Sequence, residues 1–312
     1  MGDTFDSLVE PQAELRCMGR GYQVTEGPVW VPSQQCLYFH DIPGDTRWRW
    51  SESGGMELAA RPTFKANGTC LDGEGRLVVC EQVSSCLVRL HPEHGRQTLA
   101  FHYEGTYLNS PNDVVLRGVD GSLYFTDPDF GRWNDWIGEQ RQRDLLGFRG
   151  LYRVPASGGD VELLVDRDEF DQPNGLCFSP DERRLYVNDS PRAHIKVFDV
   201  AADGALSNGR VLLDGIGGMV DADGNIEVDA RHRPAAPDGM ECDALGNVWV
   251  TGPGGVWAVS PEGELLGVLE APEVCKSLVW GGADLRSLFL MTETTVHVVR
   301  TRVAGVTLPP DR

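Results

Sequence analysis

The chain is poor in basic residues. Among its 312 residues, 28 lysines and arginines stand against 47 aspartates and glutamates, for a formal net charge of −19. Nucleic-acid binding depends on a stripe of basic side chains that contact phosphates, and no such stripe is visible. We therefore expect no nucleic-acid partner. The expected partner is a small-molecule substrate, and the sequence leaves the oligomeric state open.

Long apolar runs and paired cysteines are also missing. No window approaches the run of about 18 apolar residues that predicts a membrane span. The N-terminal segment MGDTFDSLVE lacks the basic and apolar regions of a secretory signal, so we expect a cytoplasmic protein without membrane association. The eight cysteines form no CxxC pair, which argues against a zinc or redox site and favours free, buried thiols.

One structural unit is repeated along the chain. It comprises a Pro/Gly/Asn/Asp turn, a short strand, a second turn, and an aromatic or β-branched second strand. The unit occurs six times, at 25–41, 66–81, 110–127, 172–189, 236–252 and 275–293. A third alternating strand follows every unit, and a fourth follows the first five. This repetition predicts an all-β, six-bladed β-propeller with four antiparallel strands per blade, formed by residues 1–312 as one domain.

The sixth unit lacks a fourth strand of its own. The segment AELRCMGRGY (13–22) can supply this strand and close the ring, which would protect two sheet edges at once. Two stretches, 131–149 and 216–236, interrupt the repeat and are predicted to be loop insertions. The first carries Trp133, Trp136 and Phe148. It is interpreted either as a lid over the channel mouth or as a surface excursion packed on blade three.

The residue just before the first strand has the same chemical character in most units. In chain order these residues are Glu26, Asn67, Asn112, Asn174, Asp238 and Ser277. The first strands of a propeller line its central channel, so one position per blade converges on the axis. Converging carboxylate and amide oxygens suit calcium or another hard divalent cation better than structural zinc. Turn preference alone explains one such residue, but it explains their shared repeat phase less well.

Five segments resemble a known family in order along the chain. They are EGPVW (26–30), NGTCLDGEGRLVVCE (67–81), NSPNDVVLRGVDGSLYFTDPDFG (109–131), PNGLCFSPDERRLYVNDS (173–190) and PDGMECDALGNVWVTGPGGVW (237–257). The family is that of senescence marker protein (regucalcin), gluconolactonase and luciferin-regenerating enzyme, and the resemblance is greatest to its bacterial gluconolactonase-like members. It implies a six-bladed propeller that binds one divalent metal, with calcium favoured over zinc, manganese or magnesium.

The resemblance also implies roles for individual residues. It implies metal ligation by Glu26, Asn174 and Asp238, with Asn112 as a fourth ligand or a substrate contact. Asn67 and Asp127 resemble substrate-facing positions beside the metal. The sequence departs from the family pattern at three other positions. Ser110 replaces an arginine of the animal members, whereas Asp129 and Phe130 replace proline and tyrosine of the bacterial form, so the sugar contacts there are open.

The function implied by this resemblance is metal-dependent hydrolysis of a lactone. The expected substrate is a sugar (aldono)lactone such as gluconolactone. Asp238 is the candidate general base, although a carboxylate bound to a dication has a depressed pKa, and Asp127 is the alternative. Two other functions remain open: a diisopropylfluorophosphatase-like phosphotriesterase that uses the same four ligands, and a non-enzymatic calcium-binding propeller.

Overall fold

Six four-stranded antiparallel sheets dominate the computed structural model, which describes residues 5–10, 12–132, 146–217 and 235–306. The N-terminal strand β1 spans Arg16–Arg20. Blade 1 consists of β2 (Thr25–Val31), β3 (Cys36–Asp41), β4 (Thr46–Ser51) and β5 (Gly55–Ala60). Blade 2 consists of β6 (Ala66–Leu71), β7 (Leu77–Glu81), β8 (Cys86–His91) and β9 (Gly95–Ala100). A small hairpin, β10 (His102–Tyr103) and β11 (Thr106–Tyr107), follows.

The remaining blades repeat this order. Blade 3 consists of β12 (Val114–Leu116), β13 (Leu123–Asp127), β14 (Gly150–Val154) and β15 (Glu162–Leu163). Blade 4 consists of β16 (Pro173–Phe178), β17 (Arg184–Asp189), β18 (His194–Val200) and β19 (Leu206–Asp214). Blade 5 consists of β20 (Met240–Cys242), β21 (Val248–Gly252), β22 (Gly255–Val259) and β23 (Leu265–Glu270). Blade 6 contains β24 (Cys275–Gly281), β25 (Ser287–Thr292) and β26 (Thr295–Arg300). Two short 3₁₀ helices lie at Pro32–Gln34 and Phe130–Arg132.

The N-terminal strand completes the last blade. β1 pairs antiparallel with β26, so that Arg16 lies opposite Val298 and Arg20 opposite Thr295. The first and last strands in the sequence therefore share one sheet, which leaves neither as an open edge facing the other. The predicted six-bladed propeller and its closure by the N-terminal strand are confirmed.

Aspartate side chains form the tight turns between the first two strands of a blade. In blade 2, the Asp72 carboxylate accepts the backbone N–H groups of Glu74 and Arg76, and Gly75 has φ +76°. In blade 5, Asp243 accepts the N–H groups of Leu245 and Asn247 in the same way. An aspartate that bonds its own backbone two residues on is a strong local turn signal, which explains why these turns were readable from sequence.

The hydrophobic core lies between neighbouring blades. Trp249 of blade 5 meets Trp280 of blade 6 edge-on, with ring centroids 5.4 Å apart at 85°. Similarly, Trp30 of blade 1 stacks on Phe289 of blade 6 at 5.7 Å. The first strands β2 and β6 are buried along their whole length, because they have a neighbouring blade on each face. This burial holds the inner ends of the blades together, where the candidate site lies.

The two predicted loop insertions are described only in part. Residues 133–145 and 218–234 lie outside the described residues, and so do Trp133 and Trp136. Phe148 is buried, and its ring lies 6.3 Å from that of Tyr103. The lid therefore stays a prediction. No helix in the described ranges is long and apolar enough to cross a membrane. The eight cysteines are free, and six of them are buried.

Candidate active site

The aligned turn positions lie in one ring of contacting strands. The first strands touch in the order β2, β6, β12, β16, β20, β24 and back to β2. All of the aligned residues are buried except Asp238, which is partly exposed. They are Glu26, Asn67, Asn112, Asn174, Asp238 and Ser277. The structure therefore places the four predicted metal ligands and Asn67 in adjacent segments around the channel.

A glycine after the site residue lets neighbouring first strands approach at backbone contact. Gly27 has φ +55°, and a Cβ there would lie 1.8 Å from the carbonyl oxygen of Asn67. A Cβ at Gly175 would lie 2.1 Å from the carbonyl oxygen of Asp238. Only glycine permits these separations, and the first also requires a left-handed backbone. The glycines thus bring the site residues of adjacent blades close together.

Two carboxylates of the ring repel each other. Burial and the nearby charge of Asp238 raise the pKa of Glu26 well above its usual range. Burial also raises the pKa of Asp238 to about 6, against the lowering effects of the Lys276 ammonium group and of a hydrogen bond from Asn174. A buried carboxylate and a partly exposed one near a single amine leave an excess of negative charge, and this environment favours a cation.

Asn174 connects blade 4 to the turn that carries Asp238. Its Nδ2 donates to Ser190 Oγ at 3.0 Å, and Ser190 Oγ donates to the carbonyl oxygen of Pro237 at 2.6 Å. Its side chain also hydrogen-bonds to the carboxylate of Asp238. These contacts orient one predicted amide ligand and one predicted carboxylate ligand relative to each other.

Side chains on the second strands fix the site residues from the adjacent blade. His40 Nδ1 lies 3.0 Å from the carbonyl oxygen of Asn67, and burial followed by the charge of Arg47 lowers the pKa of His40 well below its usual value. The neutral ring can therefore donate to that carbonyl. Thr126 Oγ1 donates to the carbonyl oxygen of Asn174 at 2.8 Å. Asn188 Nδ2 donates to the carbonyl oxygen of Asp238. These contacts make the ring rigid from blade to blade.

Asp127 has a structural environment. Its two carboxylate oxygens accept the N–H groups of Asn109 and Ser110, each at 2.8 Å, and the residue is 0% exposed. Asp41 of blade 1 and Asp189 of blade 4 accept backbone N–H groups at the same repeat position. This geometry gives Asp127 the role of fixing the loop before its blade. The substrate contact and the alternative assignment of Asp127 as the base stay predictions.

Three charged residues near the channel were missed in the sequence. Lys276, next to Ser277, interacts electrostatically with both Glu26 and Asp238. Asp113 accepts the N–H groups of Val114 and Leu176, and burial raises its pKa to about 7. Burial, and then the charge of Asp113, raises the pKa of Glu241 to about 8. Asp113 could have been found, because it follows Asn112 where four other blades have glycine.

The donors in this ring fit a hard cation. Glu26 and Asp238 provide carboxylate oxygens, and Asn112 and Asn174 provide amide oxygens at the same repeat phase. In the described part of the chain, no group of three or more His, Cys, Asp or Glu side chains is arranged to hold a metal. A centre here would therefore need amide or water oxygens beside the two carboxylates, as calcium sites commonly have.

Comparison with known proteins identifies the family. A model of the SMP-30/Gluconolactonase/LRE-like region matches residues 24–294. The chain belongs to this family. The gluconolactonase of Zymomonas mobilis is 28% identical over 318 residues, which cover 96% of this chain and 85% of that protein. A gluconolactonase of Xanthomonas campestris, XC5397, has a TM-score of 0.82 at 28% identity, covering 95% of this chain and 92% of that one.

A solved structure of lower sequence identity shares the fold. The calcium-binding protein regucalcin from Agrobacterium tumefaciens has a TM-score of 0.73 at 18% identity, covering 96% of this chain and 98% of that one.

Two residues that depart from the family pattern form polar contacts within the chain. Ser110 Oγ donates to Pro128 and accepts the N–H of Gly131. Asp129 pairs with Arg149 at 2.8 Å. The family resemblance seen in the sequence is confirmed.

Proposed function

We propose that the chain hydrolyses a sugar lactone at this ring, with a divalent cation held by Glu26, Asn112, Asn174 and Asp238. The observation that carries the proposal is the pair of mutually repelling carboxylates, Glu26 and Asp238, set among amides at one repeat phase. The lactonase names of the Zymomonas and Xanthomonas relatives support the reaction, and the name of the Agrobacterium protein supports calcium.

Each residue has a separate task in the proposed reaction. A bound divalent cation would supply Lewis acidity toward the lactone carbonyl. Asp238, the partly exposed carboxylate of the ring, accepts a proton from the water that attacks the carbonyl carbon. The ring C–O bond then breaks, and the leaving oxygen takes up a proton to give the hydroxy acid. The hydrogen bond from Asn174 keeps the Asp238 carboxylate oriented for this transfer.

Burial distinguishes Asp238 from the other candidate base. Asp127 has one backbone N–H on each carboxylate oxygen and no exposed surface, so its carboxylate is closed to water in the channel. Asp238 has exposed surface beside the channel. This contrast supports Asp238 as the base and leaves Asp127 to support the loop before blade 3.

A substrate panel tests the proposal against the phosphotriesterase alternative. Purified protein is assayed with glucono-δ-lactone, other aldonolactones and organophosphate triesters, each with calcium, zinc, manganese, magnesium or chelator. We expect lactone turnover that chelator abolishes and calcium restores. Preferential triester turnover would favour the phosphotriesterase, and no turnover with measurable calcium binding would favour a binding protein.

A variant pair tests the assigned base. Asp238→Asn retains an amide oxygen but cannot accept a proton at that position, so we expect lactone turnover to fall by at least about 100-fold, the lower end for loss of a general base. Ser277→Ala changes the one aligned position that is assigned neither to the cation nor to the substrate, and it serves as the control. Near-wild-type turnover by Asp238→Asn, with the cation still bound in a calorimetric titration, would refute the assignment.

A further inference from the structure

Gln82 is a buried residue near the proposed site, and its side-chain amide has no hydrogen-bond partner in the part of the chain that the structure describes. It directly follows β7 and is 0% exposed. Its backbone N–H donates to the carbonyl oxygen of Lys65, but neither Nε2 nor Oε1 of its side chain meets a partner among the described residues. Burying an amide in this way is costly, because the hydrogen bonds that water would provide are lost.

The repeat shows where Gln82 lies in its blade. Gln82 occupies the position in blade 2 that Ser190 occupies in blade 4. Each follows the acidic residue that pairs with the first residue of its blade: Glu81 pairs with Ala66, and Asp189 pairs with Pro173. Ser190 N–H also donates backward, to the carbonyl oxygen of Gln172. The two residues therefore share one backbone position at the same end of the propeller.

The contacts of Ser190 define what this position reaches. Its hydroxyl accepts from the site residue Asn174 and donates to Pro237 of the next blade. In blade 2 the residue that corresponds to Asn174 is Asn67, and the stem of Gln82 lies against the Gly131 loop of blade 3. A Cβ on Gly131 would lie 2.6 Å from Gln82 Cβ and 2.7 Å from Ser110 Cβ, which places the Gln82 stem against the loop that leads to Asn112.

The chemistry of this amide matches a polyhydroxylated ligand. A carboxamide presents a donor and an acceptor side by side, and two neighbouring hydroxyl groups can satisfy both at once. Because no hydrogen bond from the described residues anchors the Gln82 carboxamide, its rotation toward the channel breaks none of theirs. We propose that Gln82 binds adjacent hydroxyl groups of the substrate between Asn67 and Asn112, and so selects sugar lactones over lactones without hydroxyl groups. This inference rests on the proposed lactonase function.

The test combines a variant with a change of substrate. Gln82→Leu retains similar volume but removes both polar atoms. We expect its kcat/KM to fall about tenfold for glucono-δ-lactone, as for the loss of one or two hydrogen bonds, and to stay within about twofold for δ-valerolactone, which has no hydroxyl substituents. Gln97→Leu on the outer strand β9 is the matched control and should change neither value. Equal losses on both lactones, or no loss on glucono-δ-lactone, would overturn the proposal.

Thermal unfolding separates ligand binding from a structural role. If Gln82 held only a structural water, Gln82→Leu would melt lower and lose activity equally on both substrates. We instead expect a melting temperature at or above wild type, because an unsatisfied buried amide has been removed. Gln82→Met provides a second variant if Gln82→Leu does not fold, with the same substrate-dependent loss expected.

A polyol arm distinguishes failure of this inference from failure of the proposed function. Xylitol is added to wild type and to Gln82→Leu, and the melting temperature is followed. If wild type hydrolyses no lactone, the proposed function fails, but a xylitol-dependent rise in melting temperature that Gln82→Leu lacks would still support hydroxyl binding by Gln82. A wild-type protein without lactone turnover and without a xylitol response would overturn both.

Discussion

Glu273 fastens the loop that enters blade 6 to the hairpin at the closure of the ring. Its carboxylate accepts the N–H of Thr294 at 2.8 Å and the hydroxyl groups of Thr292, Thr294 and Thr295 at 2.8, 2.6 and 3.1 Å. The carbonyl oxygen of Thr292 accepts the hydroxyl of Thr25, which precedes Glu26. Replacing Glu273 with glutamine retains one acceptor oxygen but removes the charge that these donors stabilise. We expect Glu273→Gln to loosen the closure next to the site.

The size of the effect follows from the pKa of Glu273. Burial alone would raise it, but the hydrogen bonds from Thr294, Thr292 and Thr295 outweigh burial and lower it from 4.5 to about 2. Linkage converts this difference to an upper limit of about 3 kcal/mol at neutral pH. Because the carboxylate is partly exposed, screening by solvent reduces the expected loss in Glu273→Gln to about 1–2 kcal/mol, or roughly 1.5–3 °C in melting temperature.

The sign of the pH dependence provides the decisive test. The folded pKa is lower than the unfolded one, so the stabilisation is present above about pH 4.5 and is lost as the pH falls toward 2. Unfolding of wild type and Glu273→Gln is measured from pH 3 to 8, with the exposed Glu270→Gln as control. Equal stabilities at pH 7, or a difference that grows as the pH falls, would refute this reasoning.

Three further predictions concern the ring and its supports. Lys276→Met removes a positive charge near Glu26 and Asp238, so calorimetry should show calcium binding tightened about fivefold or more; unchanged affinity would contradict the electrostatic coupling. Asp127→Asn turns an amide N–H₂ toward a backbone N–H and should lower the free energy of unfolding by about 1–3 kcal/mol. Wild-type stability together with lost substrate affinity would instead favour a substrate-binding role for Asp127. Thr126→Val leaves the buried carbonyl of Asn174 without its donor and should cost about 1–3 kcal/mol in chemical denaturation, whereas no change would show that this bond adds nothing.

Local patterns in the chain were sufficient for much of the architecture. Turn residues and two-residue alternation are properties of a few neighbouring positions, so six units could be counted before any contact was known. The missing fourth strand of the last unit likewise pointed to 13–22, and β1 pairs there with β26. The repeat phase of Glu26, Asn112, Asn174 and Asp238 was readable for the same reason. Their metal-binding roles stay a prediction.

Contacts between blades were decided only by the tertiary structure. The motif around Asp127 did not show that its two carboxylate oxygens accept backbone N–H groups 17 and 18 residues earlier in the chain. Lys276 influences Glu26 electrostatically because ring closure brings blades 1 and 6 together, and no local pattern in the sequence shows that two such distant residues become neighbours. The unpartnered amide of Gln82 was equally invisible, since hydrogen-bond satisfaction depends on every neighbouring blade. In this protein, sequence determined which residues share a repeat phase, and three-dimensional packing decided which of them have polar groups left to bind a ligand.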